Sequence, residues 1–181
     1  MFYIAIILIS NVIIAGASFL VGEDYFSALL ESALATVCVI AIDGVFAFLI
    51  RRLPDKLFDA KANFWAVSKK EARIYRGLKI NKWKKLIPEL GGFTSFHKDK
   101  LQSTTDEDYL ARFILESNYG VAIHIANAIT GILLFLLPFS ASIVLPVAIV
   151  NAVLSLLPVM ILRSNLPALH LLYRKTQKND R

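Results

Sequence analysis

Residues 2–21, FYIAIILISNVIIAGASFLV, run for twenty positions without one charged side chain. Coiled as an α-helix at 1.5 Å per residue, such a stretch is about 30 Å long, the thickness of a bilayer's hydrocarbon core. Three further blocks of similar length and character follow, at about 28–50, 119–139 and 142–162. A soluble domain would not place four such blocks in 181 residues, 56% of them hydrophobic, with a mean hydropathy of +0.59. The expected fold class is an all-α membrane protein. It has about four transmembrane helices in two hairpins and a helical, interfacial cytoplasmic segment between them.

The charges orient those spans. Residues 1–50 contain no Lys or Arg, residues 51–118 contain fifteen, and the last nineteen residues contain five. The turn after the first block is acidic, with Glu23 and Asp24, and the turn near Ser140 is uncharged. Positive segments stay cytoplasmic. The expected layout is a first transmembrane hairpin at 1–50, a basic amphipathic segment at 51–118, a second hairpin at 119–162 and a basic tail at 163–181. Both termini are then cytoplasmic. No positive segment precedes the first block and the second follows at once, so the first is read as a retained span rather than a cleaved leader. The net charge of +6 suits an anionic membrane surface. Nucleic acid is not an expected partner, because no zinc, RNA-binding or helix-turn-helix signature accompanies the charge. The lone Cys38 excludes an internal disulfide and reads as a packing residue.

The 51–118 segment interleaves cations with aromatics, among them Phe58, Phe64, Trp65, Tyr75 and Trp83. That mixture suits helices lying in the headgroup layer. Over 62–78, Trp65, Val67, Ala72, Ile74, Tyr75 and Leu78 form an approximate apolar stripe opposite Lys69, Lys70, Arg73 and Arg76. The run from Trp83 stops at Pro88, and Gly91-Gly92 reads as a turn. A new helix is expected near Ser103, with Thr104 and Glu107 as a capping box, running directly into the third span.

Ionisable groups at membrane depth are costly, so each is a site candidate. Glu31 lies near the outer end of its block, where solvent can reach it. Asp43 is deeper. Asn11, Asn127 and Asn151 are single amides of the kind that bridge helices. Glu116 stands at the inner mouth of the third block, with His124 two turns further in. Eight residues separate them, about 12 Å along a helix, too far for a direct hydrogen bond but compatible with one cavity wall. An imidazole there can take a proton from a hydroxyl and return it to a leaving group. A histidine that merely bridges helices is the competing reading. His97 and His170 sit in basic surroundings. No phosphate-binding loop, hydrolase nucleophile motif or metal-ligand cluster occurs, so no metal or cofactor is expected.

The ordered short motifs carry a resemblance. They are Arg52-Leu53-Pro54-Asp55-Lys56-Leu57-Phe58, Ile74-Tyr75, Trp83-Lys84, Gly91-Gly92 and Phe96-x-Lys98-x-x-Leu101. Leu115-Glu116-Ser117-Asn118, His124 and Arg163-Ser164-Asn165-Leu166-Pro167-Ala168-Leu169 complete the order. Together, over roughly residues 35–175, they resemble the glycosyl-4,4'-diaponeurosporenoate acyltransferases, small membrane enzymes of carotenoid biosynthesis. The chain departs from the pattern at Ser164, Leu166 and Ala168, where the family ending has Tyr and two Arg. The resemblance implies transfer of a fatty acyl group to a sugar hydroxyl of a membrane glycolipid, with acyl-CoA a candidate donor and co-substrate. For that chemistry His124 is the expected base, with Glu116 orienting substrate or tuning charge. Lys84, Lys98 and Arg163 would hold an anionic donor, Trp83 would anchor the interfacial helix, and Asp55 and Asn165 complete the binding set. Membrane lipids, the glycolipid and the donor are the expected partners, with an oligomer left open, and a bacterial plasma membrane is the expected location. The alternative is a non-enzymatic lipid-binding or flippase-accessory protein. A third reading is a structural subunit in which the amides serve as packing glue.

Overall fold

The computed structural model describes residues 2–87 and 101–179, and the regular structure among them is helical. The α-helices are α1 (Phe2–Leu20), α2 (Tyr25–Arg51), α3 (Lys69–Gly77), α4 (Ile80–Trp83), α5 (Glu107–Thr130) and α6 (Ala141–Asn179). Short 3-10 turns occur at Asp55–Leu57, Asn63–Trp65, Lys84–Leu86 and Gly131–Leu136. The segments Phe2–Leu20, Tyr25–Arg51, Glu107–Leu136 and Ala141–Lys178 are long and apolar enough to cross a membrane. The all-α, four-span class read from the apolar blocks is therefore the fold class of the protein.

Local chemistry sets the helix ends. α1 stops at a turn in which Gly22 has φ +96°, a conformation open to glycine without a Cβ penalty. Asp24 caps α2, accepting from the Ser27 N–H at 2.8 Å. Asp106 caps α5, accepting from the Tyr109 N–H at 3.0 Å, so the cap lies two residues beyond the Thr104 expected for that role. Ser103 instead holds the turn before it, accepting from the Asp106 N–H at 3.1 Å. α6 carries Pro146, Pro158 and Pro167 yet stays a single helix to Asn179. The basic tail thus continues the fourth span rather than leaving it. Basic side chains favour a helix C-terminus, and the helix runs on through Pro167. The helix expected over 62–78 is shorter, because a 3-10 turn at Asn63–Trp65 precedes α3 and Ser68 caps it.

The chain divides into two compact units. The first comprises Met1–Leu49 and Ile123–Leu156. Its core is made of small and branched residues, with Ala15, Ala28, Ala35 and Val39 beside Leu134, Ile143, Val144 and Val147. Small side chains let helices approach closely, which is how membrane helices gain dispersion energy without a hydrophobic drive between them. Gly131 marks a tight point: a Cβ there would sit 2.9 Å from Cα of Ala148. Polar groups cross-link the same helices. The Thr36 hydroxyl donates to Asn11 Oδ1 at 3.2 Å, Asn151 Nδ2 donates to the Asn127 carbonyl at 2.8 Å, and the Thr130 hydroxyl donates to Asp43. Glu31, expected to be solvated, accepts from both the N–H and the hydroxyl of Ser140 and so satisfies the start of α6. Long apolar side chains such as Leu8, Ile13, Leu34, Val37 and Ile40 point outward, as lipid-facing residues do.

The second unit comprises Ile50–Ala122 and Leu157–Arg181. One cluster of its core gathers Phe58, Trp65, Tyr119, Val121, Val159 and Leu162. Another gathers Leu110, Phe113, Ile114, Leu166 and Leu169. Trp65, expected at a lipid interface, is buried: its ring stacks on Phe58 at 5.5 Å and its Nε1–H donates to the Leu57 carbonyl at 2.7 Å.

Candidate functional site

The chemistry-bearing side chains of the second unit fall into a brace and a groove. The brace starts where α2 ends. Arg51 Nη2 meets Glu116 Oε2 at 2.7 Å, and Arg112, one turn earlier on α5, meets Glu116 Oε1 at 2.8 Å. The Glu116 side chain is 2% exposed. A carboxylate this enclosed is tolerable because cations approach both of its oxygens. The Arg51 guanidinium also lies 4.8 Å from the centre of the Tyr119 ring, within cation–π range.

The residues around Glu116 hold the 52–58 motif. Tyr119 shares its hydroxyl proton between the Leu53 carbonyl at 2.6 Å and Asp55 Oδ1 at 2.9 Å. Asn118 Nδ2 donates to the Phe58 carbonyl at 2.8 Å, and Phe58 stacks on Tyr119 at 4.0 Å. An irregular loop normally leaves backbone groups to water; here α5 side chains satisfy its carbonyls. The two motifs that stand 60 residues apart in sequence are thus one structural element.

The groove lies between α3, α4 and α6. Ser68 and Glu71 have the spacing of a capping box, and Ser68 Oγ accepts from the Glu71 N–H at 3.1 Å. Glu71 also takes Arg163 in a two-point pairing, with Arg163 Nη2 at 2.7 Å from Oε2 and Arg163 Nε on Oε1. The Tyr75 hydroxyl donates to the same carboxylate at 2.6 Å. The Arg163 hydrogen bonds hold the Glu71 carboxyl below its ordinary pKa of 4.5, against the opposing effect of burial. Burial, and then the bond to Glu71, push the Tyr75 phenol up to about 12. Beside this trio opens a space of ≈ 670 Å³. Lys69, Arg73, Arg76, Lys79 and Lys82 line one side, and Ser164, Pro167 and Ala168 of α6 line another.

The sequence-predicted residues distribute as follows. Glu116 and Asp55 belong to the brace. Arg163 is engaged by Glu71, and Lys84 Nζ donates to Asn165 Oδ1 at 3.0 Å. Trp83 Nε1 donates to the Leu78 carbonyl at 3.0 Å. His124 is half-buried on α5 and falls in the first unit, whereas Glu116 falls in the second. Lys98 lies outside the described residues, as do Gly91, Gly92, Phe96 and His97. Sequence reasoning missed Lys79 and Lys82 as groove residues, and it read Lys69, Arg73 and Arg76 only as the polar face of a helix. The i, i+4, i+7 spacing of Lys69, Arg73 and Arg76 could have marked them as one stripe.

Four membrane-length apolar helices and a folded cationic segment between them define a polytopic α-helical membrane protein. The family model for glycosyl-4,4'-diaponeurosporenoate acyltransferase matches residues 54–175, and the chain belongs to that family. Comparisons with curated proteins and with solved structures return no match. The matched region takes in most of the brace and the whole groove. Ser164 and Ala168, two positions where the chain departs from the family ending, lie on the groove wall, and Leu166, the third, is fully buried.

Proposed function

We propose that the protein is a membrane O-acyltransferase that moves a fatty acyl group from a thioester donor to a sugar hydroxyl of a membrane glycolipid. The observation that carries this reading is the family match over 54–175. Its motifs, distant in sequence, also converge on one buried brace around Glu116. In the reaction the His124 imidazole takes the proton of the sugar hydroxyl while its oxygen attacks the thioester carbonyl. The tetrahedral intermediate collapses, the ester forms, and the thiolate leaves with the proton returned from the imidazolium. Glu116 is a positioning residue: its carboxylate is occupied by Arg51 and Arg112, and it fixes the end of α2 and the 52–58 loop. Lys84 with Asn165, Arg163 and Lys98 are the proposed contacts to an anionic donor, and Asp55 and Trp83 to the substrate's polar end.

Lipid-facing helices suit the substrates, since both carry long apolar chains. The charge asymmetry supports a layout with the basic segment and both termini cytoplasmic, and the family likeness supports a bacterial plasma membrane. The test is incubation of purified protein with acyl-CoA and membrane glycolipid extract, followed by mass spectrometry for an acyl-sized gain. Full transfer by His124→Ala would remove the base assignment. A non-enzymatic lipid-handling role is the second reading. It is favoured by the way the Asn11 and Asn151 side chains bridge helices, and it predicts no mass gain in any extract.

A further inference from the structure

The groove of the second unit concentrates positive charge. Lys69, Arg73 and Arg76 from α3, Lys79 from the corner and Lys82 from α4 line it, and among the described residues no acidic side chain does. None of the five takes part in a salt bridge among the described residues. The neighbouring Arg163 is different, since Glu71 holds it at two points. Glu71 thus engages Arg163 on α6, while the five groove cations have no salt-bridge partner among the described residues.

The corner between α3 and α4 is the second observation. Lys79 has φ 52° and ψ 38°, the left-handed conformation, and is the one non-glycine residue with positive φ among those described. It follows the Leu78 C-cap of α3, and its N–H closes the helix on the Arg76 carbonyl at 3.1 Å. Glycine is the usual residue at such a place because a Cβ is disfavoured there. The lysine adds nothing to the turn that glycine would not supply. What it adds is a charge on the groove wall. A lysine in the left-handed region beside a ligand-sized cleft points to a role for its side chain there.

We infer that this groove binds the phosphate of an anionic ligand larger than inorganic phosphate. The space, ≈ 670 Å³, matches sites for whole small molecules and exceeds what one inorganic phosphate fills. Two sources share that chemistry: the nucleotide carrier of an acyl thioester, and phospholipid headgroups gathered at the membrane surface. Only the identification of the ligand as donor rests on the acyl-transfer reading. The binding of phosphate does not.

The experiment uses the full chain in neutral detergent. Free coenzyme A is titrated in one arm and monomeric dihexanoyl-phosphatidylglycerol in the other, both by calorimetry, with inorganic phosphate as competitor. Lys79→Gly is the informative variant, because it removes a charge and relieves the backbone together. It is expected to keep the helical circular dichroism and the melting temperature of the parent while weakening the bound probe roughly tenfold. The double variant Arg73→Gln with Arg76→Gln weakens it further. Lys70→Gln removes a cation from the same helix but outside the groove, and leaves binding unchanged. Whichever probe responds names the source. Three outcomes overturn the site: neither probe binds, Lys79→Gly and the double variant bind like the parent, or Lys70→Gln loses as much as Lys79→Gly. Coenzyme A binding that persists without any acyl transfer would sink the proposed reaction and leave the groove standing. Transfer with an unchanged donor KM in the groove variants would exclude it as the donor site.

Discussion

Glu116 shows what a single residue does in this protein. Its carboxylate is almost wholly enclosed and meets Arg51 and Arg112, whose side chains are 31% and 54% exposed. Replacing it with Gln keeps the shape and removes the charge, leaving two guanidiniums beside a neutral amide. The partial exposure of both arginines tempers the penalty, so Glu116→Gln is expected to cost about 1–3 kcal/mol, read as a lower melting temperature in detergent. An unchanged melting temperature would contradict the brace. Glu71 gives a pH signature. Its folded pKa is depressed by Arg163, so its contribution to stability is complete above the ordinary carboxyl value of 4.5 and is lost as pH falls through the lower folded value. Melting curves of the parent and of Glu71→Gln should therefore differ at neutral pH and converge in acid. A gap that stays constant into acid would contradict the pairing. Glu116 was legible in the sequence because a carboxylate beside an apolar block is conspicuous. Its partner Arg51 was not, since 65 residues separate them. Lys79 was equally hidden, because nothing local marks a lysine for a left-handed turn.

At the scale of elements, one close helix approach sits at Gly131. A methyl group there would meet the backbone and Cβ of Ala148 at 2.9 Å. Gly131→Ala is expected to lose about 1–3 kcal/mol through overpacking, and Ala148→Gly in the same chain should recover part of it. A neutral single variant would contradict the contact. The four spans were legible because an unbroken apolar run needs no knowledge of partners. The middle segment was less so. Over 62–78 the apolar positions belong to two elements, a 3-10 turn and α3, so their spacing fits neither one helix nor one face. Trp65 and Phe58 were read as interfacial aromatics, yet both are core residues, because what buries them is Tyr119 on a helix far along the chain. The continuation of α6 to Asn179 was masked by its charge, which signals the end of a span but not the end of a helix.

At the scale of the whole molecule, the charge asymmetry makes a topological prediction. With Cys38 as the single native thiol, Cys38→Ala gives a clean background for accessibility labelling. Glu23→Cys should react with an impermeant maleimide on intact cells, and Lys61→Cys only after permeabilisation. The reverse pattern would invert the layout. The family match and the brace together make acyl transfer the central claim, and it has one direct measurement. The purified protein is reconstituted into liposomes with a glycolipid acceptor and an isotope-labelled acyl-CoA, and the lipids are read by mass spectrometry. The account predicts labelled acyl ester on the sugar with the parent chain and a loss of at least about a hundredfold with His124→Ala, the scale of a missing general base. Contradiction would be an acceptor that stays unlabelled across acyl donors and extracts while the reconstituted protein is folded.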